Sequence, residues 1–279
     1  MLKIATCQFA VTGDVDHNAG HIESFVRQAG EEGADLVHLS ECCLSGYAGV
    51  DHETLEGFDW EHLRDRTRAI MELAKEKQVW VALGSMHELS AGNKPHNCMY
   101  LIGPDGKIHD RYDKRFCTEI ELPFYTPGDR AVTFELKGVT CALLICFDLR
   151  FPEIYRDLYK RGVQFVIQSF YNARQKGPSV HTDIMRQTMQ CRAATNFFWI
   201  SMNNSSAWYS PYPSCFIRPD GKIVKELEWH RDQMMINEVN TDIELYDPMK
   251  DFRDIAVAGN LTNGPETIDD PRSKNVTEL

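Results

Sequence analysis

A chain of 279 residues with 43% apolar and 25% charged side chains has ample material for one large α/β domain, which excludes fibrous and disordered classes. The formal charge of −11 gives no basic footprint for nucleic acid, so no nucleic-acid partner is expected. No apolar run approaches the roughly 20 residues of a membrane span, and the opening MLKIATCQFAVTG is too short and too interrupted by Lys3, Thr6 and Gln8 for a secretory signal. A soluble, cytoplasmic protein without membrane contact is the expectation.

In chain order, KIATCQFAV reads as a strand, and a polar helix follows through Ser24 and Val26. ADLVHLSE reads as a second strand, Trp60 to Lys77 as a helix, and VWVALGSMHE and NCMYLIGPDGKI as further strands. The same order then recurs: GVTCALLICFD answers the first strand, VQFVIQS answers ADLVHLS, FFWISMN answers VWVALGSM, and SCFIRPDGKI answers CMYLIGPDGKI. Each Pro-Asp-Gly turn, at 104–106 and 219–221, sits between strand-forming residues as a hairpin signal. The matched order predicts two similar α-β halves packed as two sheets with helices outside, an α-β-β-α sandwich, over residues 1–257. From Ala258 the chain turns polar and turn-rich, which predicts a tail over 258–279. Nine cysteines, most of them inside strand-like segments, are expected to be reduced and buried.

Three segments carry the chemistry. HLSECCLSGY leaves its strand with Glu41, the answering LLICFDLRFPE leaves its strand with Cys146, and RYDKRFCTEIELPFYTPGD carries Lys114 and Glu121. Singly, each has a plain structural account: a solvated strand-end acid, a solvated lysine, an inert buried thiol.

Together they resemble the nitrilase, or carbon–nitrogen hydrolase, superfamily over nearly the whole chain. Glu41 with Gly46 and Tyr47, the run from Ile145 through Glu153, and Glu121 ahead of FYTPGD stand in that family's order. The resemblance implies a Glu–Lys–Cys set of Glu41, Lys114 and Cys146, with Tyr47 at the substrate and no metal or organic cofactor. It also implies a homodimer or larger homo-oligomer. The LRFPE continuation is more similar to amidase branches than to nitrilases proper, which favours a small amide or N-carbamoyl substrate over a nitrile. Phe116, Thr195 and the segment GPSVHT depart from the family's pattern, and bear on substrate more than on reaction type.

The chemistry of the set has its own logic. A thiol with pKa near 8.5 is only a few per cent ionised at neutral pH, so it needs a base or a positive field. Glu41 supplies the base, Lys114 the field, and the backbone N–H of Phe147 joins the ammonium in holding a developing oxyanion. Glu121 is then expected to orient Lys114 or substrate and to raise the pKa of Glu41. Asp148 and Arg150 are expected to form a buried pair fixing the turn. In the loop SFYNARQKGPSVH, Tyr171, Asn172 and Arg174 offer an aromatic wall, an amide and a cation to the substrate.

Two other classes compete. Cys146-x-Asp148-x-Arg150 also opens the zinc site of β-type carbonic anhydrases, but none of the ten histidines has a cysteine three residues later to complete it. A catalytically inactive binding module is disfavoured by the intact Glu41, Lys114 and Cys146. His17 and His21, at helical spacing without a third ligand, read as a solvated helix face.

Overall fold

The computed structural model describes every residue except 91, 173–176, 178, 265–267 and 278–279. The chain forms two compact units, Met1–Leu245 and Tyr246–Leu279. In the first unit, the first half comprises β1 (Leu2–Gln8), α1 (Val15–Glu31), β2 (Leu36–His38), α2 (Trp60–Lys77), β3 (Trp80–His87), β4 (His96–Ile102) and β5 (Ile108–Asp113). The second half comprises β6 (Thr133–Leu136), β7 (Val139–Ile145), a 3₁₀ turn (Cys146–Arg150), α3 (Pro152–Lys160), β8 (Phe165–Ser169) and α4 (Val180–Asn196). It ends with β9 (Trp199–Asn203), β10 (Cys215–Ile217), β11 (Ile223–Glu226) and β12 (Gln233–Val239).

Two six-stranded sheets result, in the orders β12-β1-β2-β3-β4-β5 and β11-β10-β9-β8-β7-β6. β1, β2 and β3 run parallel, as do β7, β8 and β9, and every other pairing is antiparallel. The repeat read from the sequence is therefore physical, and it extends to detail. Each Pro-Asp-Gly hairpin carries a register shift at the matching place, Leu101/Ile102 and Phe216/Ile217. Each turn glycine, Gly106 and Gly221, adopts a positive φ that a side chain would oppose. β12 is absent from the sequence reading because Met234, Met235 and Ile236 blur its alternation, yet it pairs with β1 along seven residues.

Local signals fix the helices. Asp14 caps α1, accepting from the N–H groups of Asp16 and His17, and Asp59 caps α2 through His62 N–H. Ile22, Phe25, Val26 and Ala29 of α1, with Leu63, Ile70, Leu73 and Ala74 of α2, pack on the outer face of the first sheet. The inner face of that sheet, Leu2, Ile4, Leu36, Met99 and Leu101, shares a core with the second sheet and with Met185, Met189 and Ala193 of α4. This is the four-layer α-β-β-α sandwich.

The gap between the sheets is apolar at one end and polar at the other. Following the inward positions, Leu2 and Ile4 give way to Thr6, Leu36 to His38, and Ile167 to Ser169. Thr6 Oγ1 and His38 Nδ1 both meet Ser201 Oγ at 2.7 Å, and His38 Nε2 meets Ser169 Oγ at 2.9 Å. Asn203 Nδ2 donates to the carbonyls of Cys7 and His38. The C-terminal ends of β1, β2, β8 and β9 are thus joined by hydrogen bonds, which in a buried setting hold a single register.

All nine cysteines are free thiols, six of them buried. No helix among the described residues is long and apolar enough to cross a membrane. The second unit holds two short helices, α5 (Arg253–Val257) and α6 (Pro271–Lys274), and a buried ion pair between Arg253 and Asp247.

Candidate active site

Glu41 follows β2 in a run of turns that crosses the first sheet at Gly84 of β3. A Cβ there would lie 2.0 Å from the carbonyl oxygen of Ser40, so only glycine lets the Glu41 segment pass. Glu41 is fully buried: its Oε1 accepts from Lys114 Nζ at 2.8 Å and from Asn97 Nδ2 at 2.7 Å, and its Oε2 accepts from Tyr171 N–H at 2.7 Å. Lys114, 1% exposed, also donates to Glu121 Oε1 at 2.6 Å. Glu121 accepts further from Tyr47 Oη at 2.5 Å and from the Thr118 N–H at 2.7 Å.

Cys146 follows β7 directly with φ of +39°, a strained left-handed value for a side chain, and begins the 3₁₀ turn. The turn is tied down from several sides. Asp148, fully buried, accepts from Tyr112 Oη at 2.6 Å and from the N–H groups of Ile145 and Phe116 at 3.0 and 3.2 Å. Arg192 donates through Nε and Nη2 to the Leu149 carbonyl at 3.3 and 3.2 Å, with its guanidinium over the Tyr155 ring.

The expected pair of Asp148 with Arg150 is therefore corrected. Arg150 Nη2 instead meets His181 Nδ1 at 3.0 Å, while Asp148 already has three donors from Tyr112 and the backbone.

Two acids and one ammonium share the pocket, and their environments separate them. Burial raises the pKa of Glu41, Lys114 opposes this, and the charge of Glu121 adds to it. Burial acts on Glu121 in the same sense, but Lys114 and the hydrogen bonds from Lys114, Tyr47 and Thr118 outweigh it, leaving its pKa below the usual range. Burial likewise opposes charge on Lys114, yet Glu41, Cys146 and Glu121 hold its pKa well above the ordinary value. Of the two carboxyls, Glu41 is the one that takes a proton more readily. Burial, then the Glu41 carboxylate, push the Cys146 thiol up, so it rests protonated beside a carboxylate.

Around this cluster, the Tyr47 and Tyr171 rings stack with centroids 4.9 Å apart, and both residues bond Asp51 Oδ2, Tyr47 through its N–H and Tyr171 through its hydroxyl. Asn172 Nδ2 lies 3.7 Å from Cys146 Sγ and donates to Tyr212 Oη. Phe147, half-buried, packs edge-on against Phe151, which stacks with Phe116. The structure thus brings together Glu41, Lys114, Glu121, Cys146, Tyr47, Tyr171 and Asn172. Arg174 lies outside the described residues. Sequence reasoning missed Asn97, Asp51 and Tyr212. For Asn97 a signal existed: it shares the inward face of β4 with Met99 and Leu101, where a polar residue is out of place.

The carbon-nitrogen hydrolase family model matches residues 3–247. The chain belongs to that family. Human omega-amidase NIT2 is 29% identical over 209 residues, spanning 71% of this chain and 72% of that protein. The hydrolase in the agr operon of Staphylococcus lugdunensis is 30% identical, spanning 72% of this chain and 86% of that one. The NitN amidase of Nesterenkonia sp. AN1 has the same fold, with a TM-score of 0.77 at 19% identity over 93% of this chain and 99% of that one. The protein is accordingly an enzyme, a carbon–nitrogen hydrolase.

Proposed function

We propose that this carbon–nitrogen hydrolase cleaves a small non-peptide amide or N-carbamoyl compound through a thioester on Cys146. The observation that carries the reading is the cluster of Glu41, Lys114 and Glu121 beside a protonated, strained Cys146. The relatives support amides over nitriles: several are omega-amidases, and a Cys-to-Ala mutant of the Nesterenkonia amidase has been seen in complex with butyramide.

Cys146 Sγ attacks the substrate carbonyl as its proton passes to Glu41, and the carbonyl electron pair moves onto oxygen. Lys114 places two of its three protons on carboxylates, leaving the third for that oxyanion, with the N–H of Phe147 at the start of the turn as second donor. Collapse breaks the C–N bond, and Glu41 returns its proton to the leaving nitrogen. Glu41 then takes a proton from water, which attacks the thioester; the departing sulfur recovers that proton and the carboxylic acid is released. Glu121 keeps Lys114 charged and in place. Tyr47, Tyr171 and Asn172 line the substrate side.

The zinc-lyase alternative has no support: among the described residues no three His, Cys, Asp or Glu side chains converge as ligands.

The test is ammonia release from a panel of carboxamides, N-carbamoyl amino acids and nitriles, with Cys146→Ala as control. Turnover of an amide or carbamoyl compound with an acyl-enzyme mass on Cys146 is expected. Turnover that survives in Cys146→Ala sinks the mechanism, and faster hydrolysis of nitriles sinks the substrate class. Labelling of the thiol is no substitute for turnover, since a Glu-to-Gln variant of the Nesterenkonia amidase carries the product of acrylamide addition at its active-site cysteine.

A further inference from the structure

Asn97 is the one member of the buried cluster to which the mechanism assigns no role. It is fully buried at the start of β4, its carbonyl accepts from Lys114 N–H at 2.9 Å, and its Nδ2 donates to Glu41 Oε1 at 2.7 Å and more weakly to Glu121 Oε1 at 3.4 Å. Its own Oδ1 is buried and has no hydrogen-bond partner among the described residues. A buried carbonyl left bare is a destabilising feature that an apolar residue of the same shape would avoid. The side chain is therefore retained for its donor end. Turning the amide over would set Oδ1 against two carboxylates and lose both bonds.

We infer that Asn97 is a positioning residue that decides which oxygen of Glu41 handles the proton. A carboxylate oxygen has two lone pairs. Asn97 and Lys114 fill both on Oε1, whereas Oε2 accepts from the Tyr171 N–H and has its second lone pair for the Cys146 thiol, which hydrogen-bonds the Glu41 carboxylate. The donor to Oε2, Tyr171, directly precedes Asn172, whose amide lies 3.7 Å from Cys146 Sγ, and this adjacency assigns Oε2 to the nucleophile's side. The Cys146 proton thus travels to Oε2 and returns from it, and Oε1 never carries it. By donating to the ionised form, Asn97 also restrains the rise in pKa that burial imposes on Glu41. This role rests on Glu41 being the base.

The test uses the pH dependence of Cys146 alkylation by iodoacetamide, which needs no substrate, together with kcat and KM on an amide that the enzyme turns over. Asn97→Leu keeps the volume and removes the donor, and Asn97→Gln keeps a donor. In Asn97→Leu the acidic limb of alkylation should move up by about one pH unit, and kcat should fall about tenfold or more with KM nearly unchanged, the size of one charge-assisted hydrogen bond. Asn97→Gln should recover part of both. An unmoved limb in folded Asn97→Leu overturns the inference. So does failure of both variants to fold, which would make Asn97 a structural prop alone. A Glu41→Gln protein alkylated with the wild-type pH profile would overturn Glu41 as base, and this inference with it. That result is distinct from an intact wild-type limb that the Asn97 variants leave in place.

Discussion

Glu41 and Tyr171 bind each other across the two halves of the molecule: the Tyr171 N–H donates to Glu41 Oε2 at 2.7 Å, one residue after the Phe170 carbonyl accepts from the Glu41 N–H at 3.3 Å. The ends of β2 and β8, equivalent strands of the two halves, are thus joined at the acid on which the chemistry turns.

Glu41→Gln and Glu121→Gln should fail in different ways. The first removes the proton acceptor, and kcat should drop roughly 10²–10⁴-fold, the usual worth of a positioned acid/base, with acylation and deacylation both slowed. The second leaves Glu41 in place but takes a charge from Lys114, so the Lys114 ammonium loses a partner while Glu41 loses a like-charged neighbour. With that neighbour gone, the pKa of Glu41 falls and the acidic limb of kcat/KM moves to lower pH. Single-turnover and pH-rate measurements on both variants separate them; identical profiles would show that the two acids act as one unit.

Much of this was legible in the chain. Glu41, Lys114, Glu121 and Cys146 stand in segments whose motifs are read without coordinates, and the matched Pro-Asp-Gly hairpins announce the repeat. Asp51 and Tyr212 were not legible, because each matters through a partner distant in sequence, Asp51 through Tyr171 and Tyr212 through Asn172; Asn97 shows only as a polar residue on the inward face of β4, and its partner Glu41 is equally distant. Asp148 was misread for the opposite reason. Its nearness in sequence to Arg150 invited a pair, whereas the 3₁₀ turn directs Asp148 back to the Ile145 N–H and to Tyr112 of β5.

That correction makes a prediction of its own. Asp148→Ala strips three donors, two of them buried, of their acceptor and should cost about 2–4 kcal/mol, besides releasing the turn that positions Cys146. Arg150→Ala breaks a half-buried contact with an imidazole and should cost less than about 1 kcal/mol. Urea titration of both proteins checks this. Equal losses would restore the Asp148–Arg150 pair.

Arg174 remains a proposal from the sequence. It follows Tyr171 and Asn172, which flank Glu41 and Cys146, and a guanidinium there would select substrates with a carboxylate remote from the scissile bond. Arg174→Ala should then raise KM for dicarboxylic monoamides or carbamoyl amino acids by roughly tenfold or more and leave neutral amides unchanged. Equal effects on both classes would remove Arg174 from the pocket.

His38 makes stability depend on pH in a defined window. Burial lowers its pKa to about 3, and its two nitrogens bridge Ser201 of β9 and Ser169 of β8. In the unfolded chain the same imidazole titrates near 6.5. Between these values the unfolded state binds a proton that the folded state refuses, so stability falls as pH drops from about 6.5 toward 3. At pH 5 the loss attributable to His38 is about 2 kcal/mol relative to neutral pH. His38→Gln keeps a hydrogen-bonding side chain between the sheets without the titration. Its stability at pH 7 should lie below wild type, but the gap should narrow as pH falls to 5. Chemical-denaturation midpoints of both proteins across pH 5–7.5 decide the matter. Parallel curves would mean that His38 takes up its proton as readily in the fold as in the unfolded chain, and the buried bridge between the sheets would need another account.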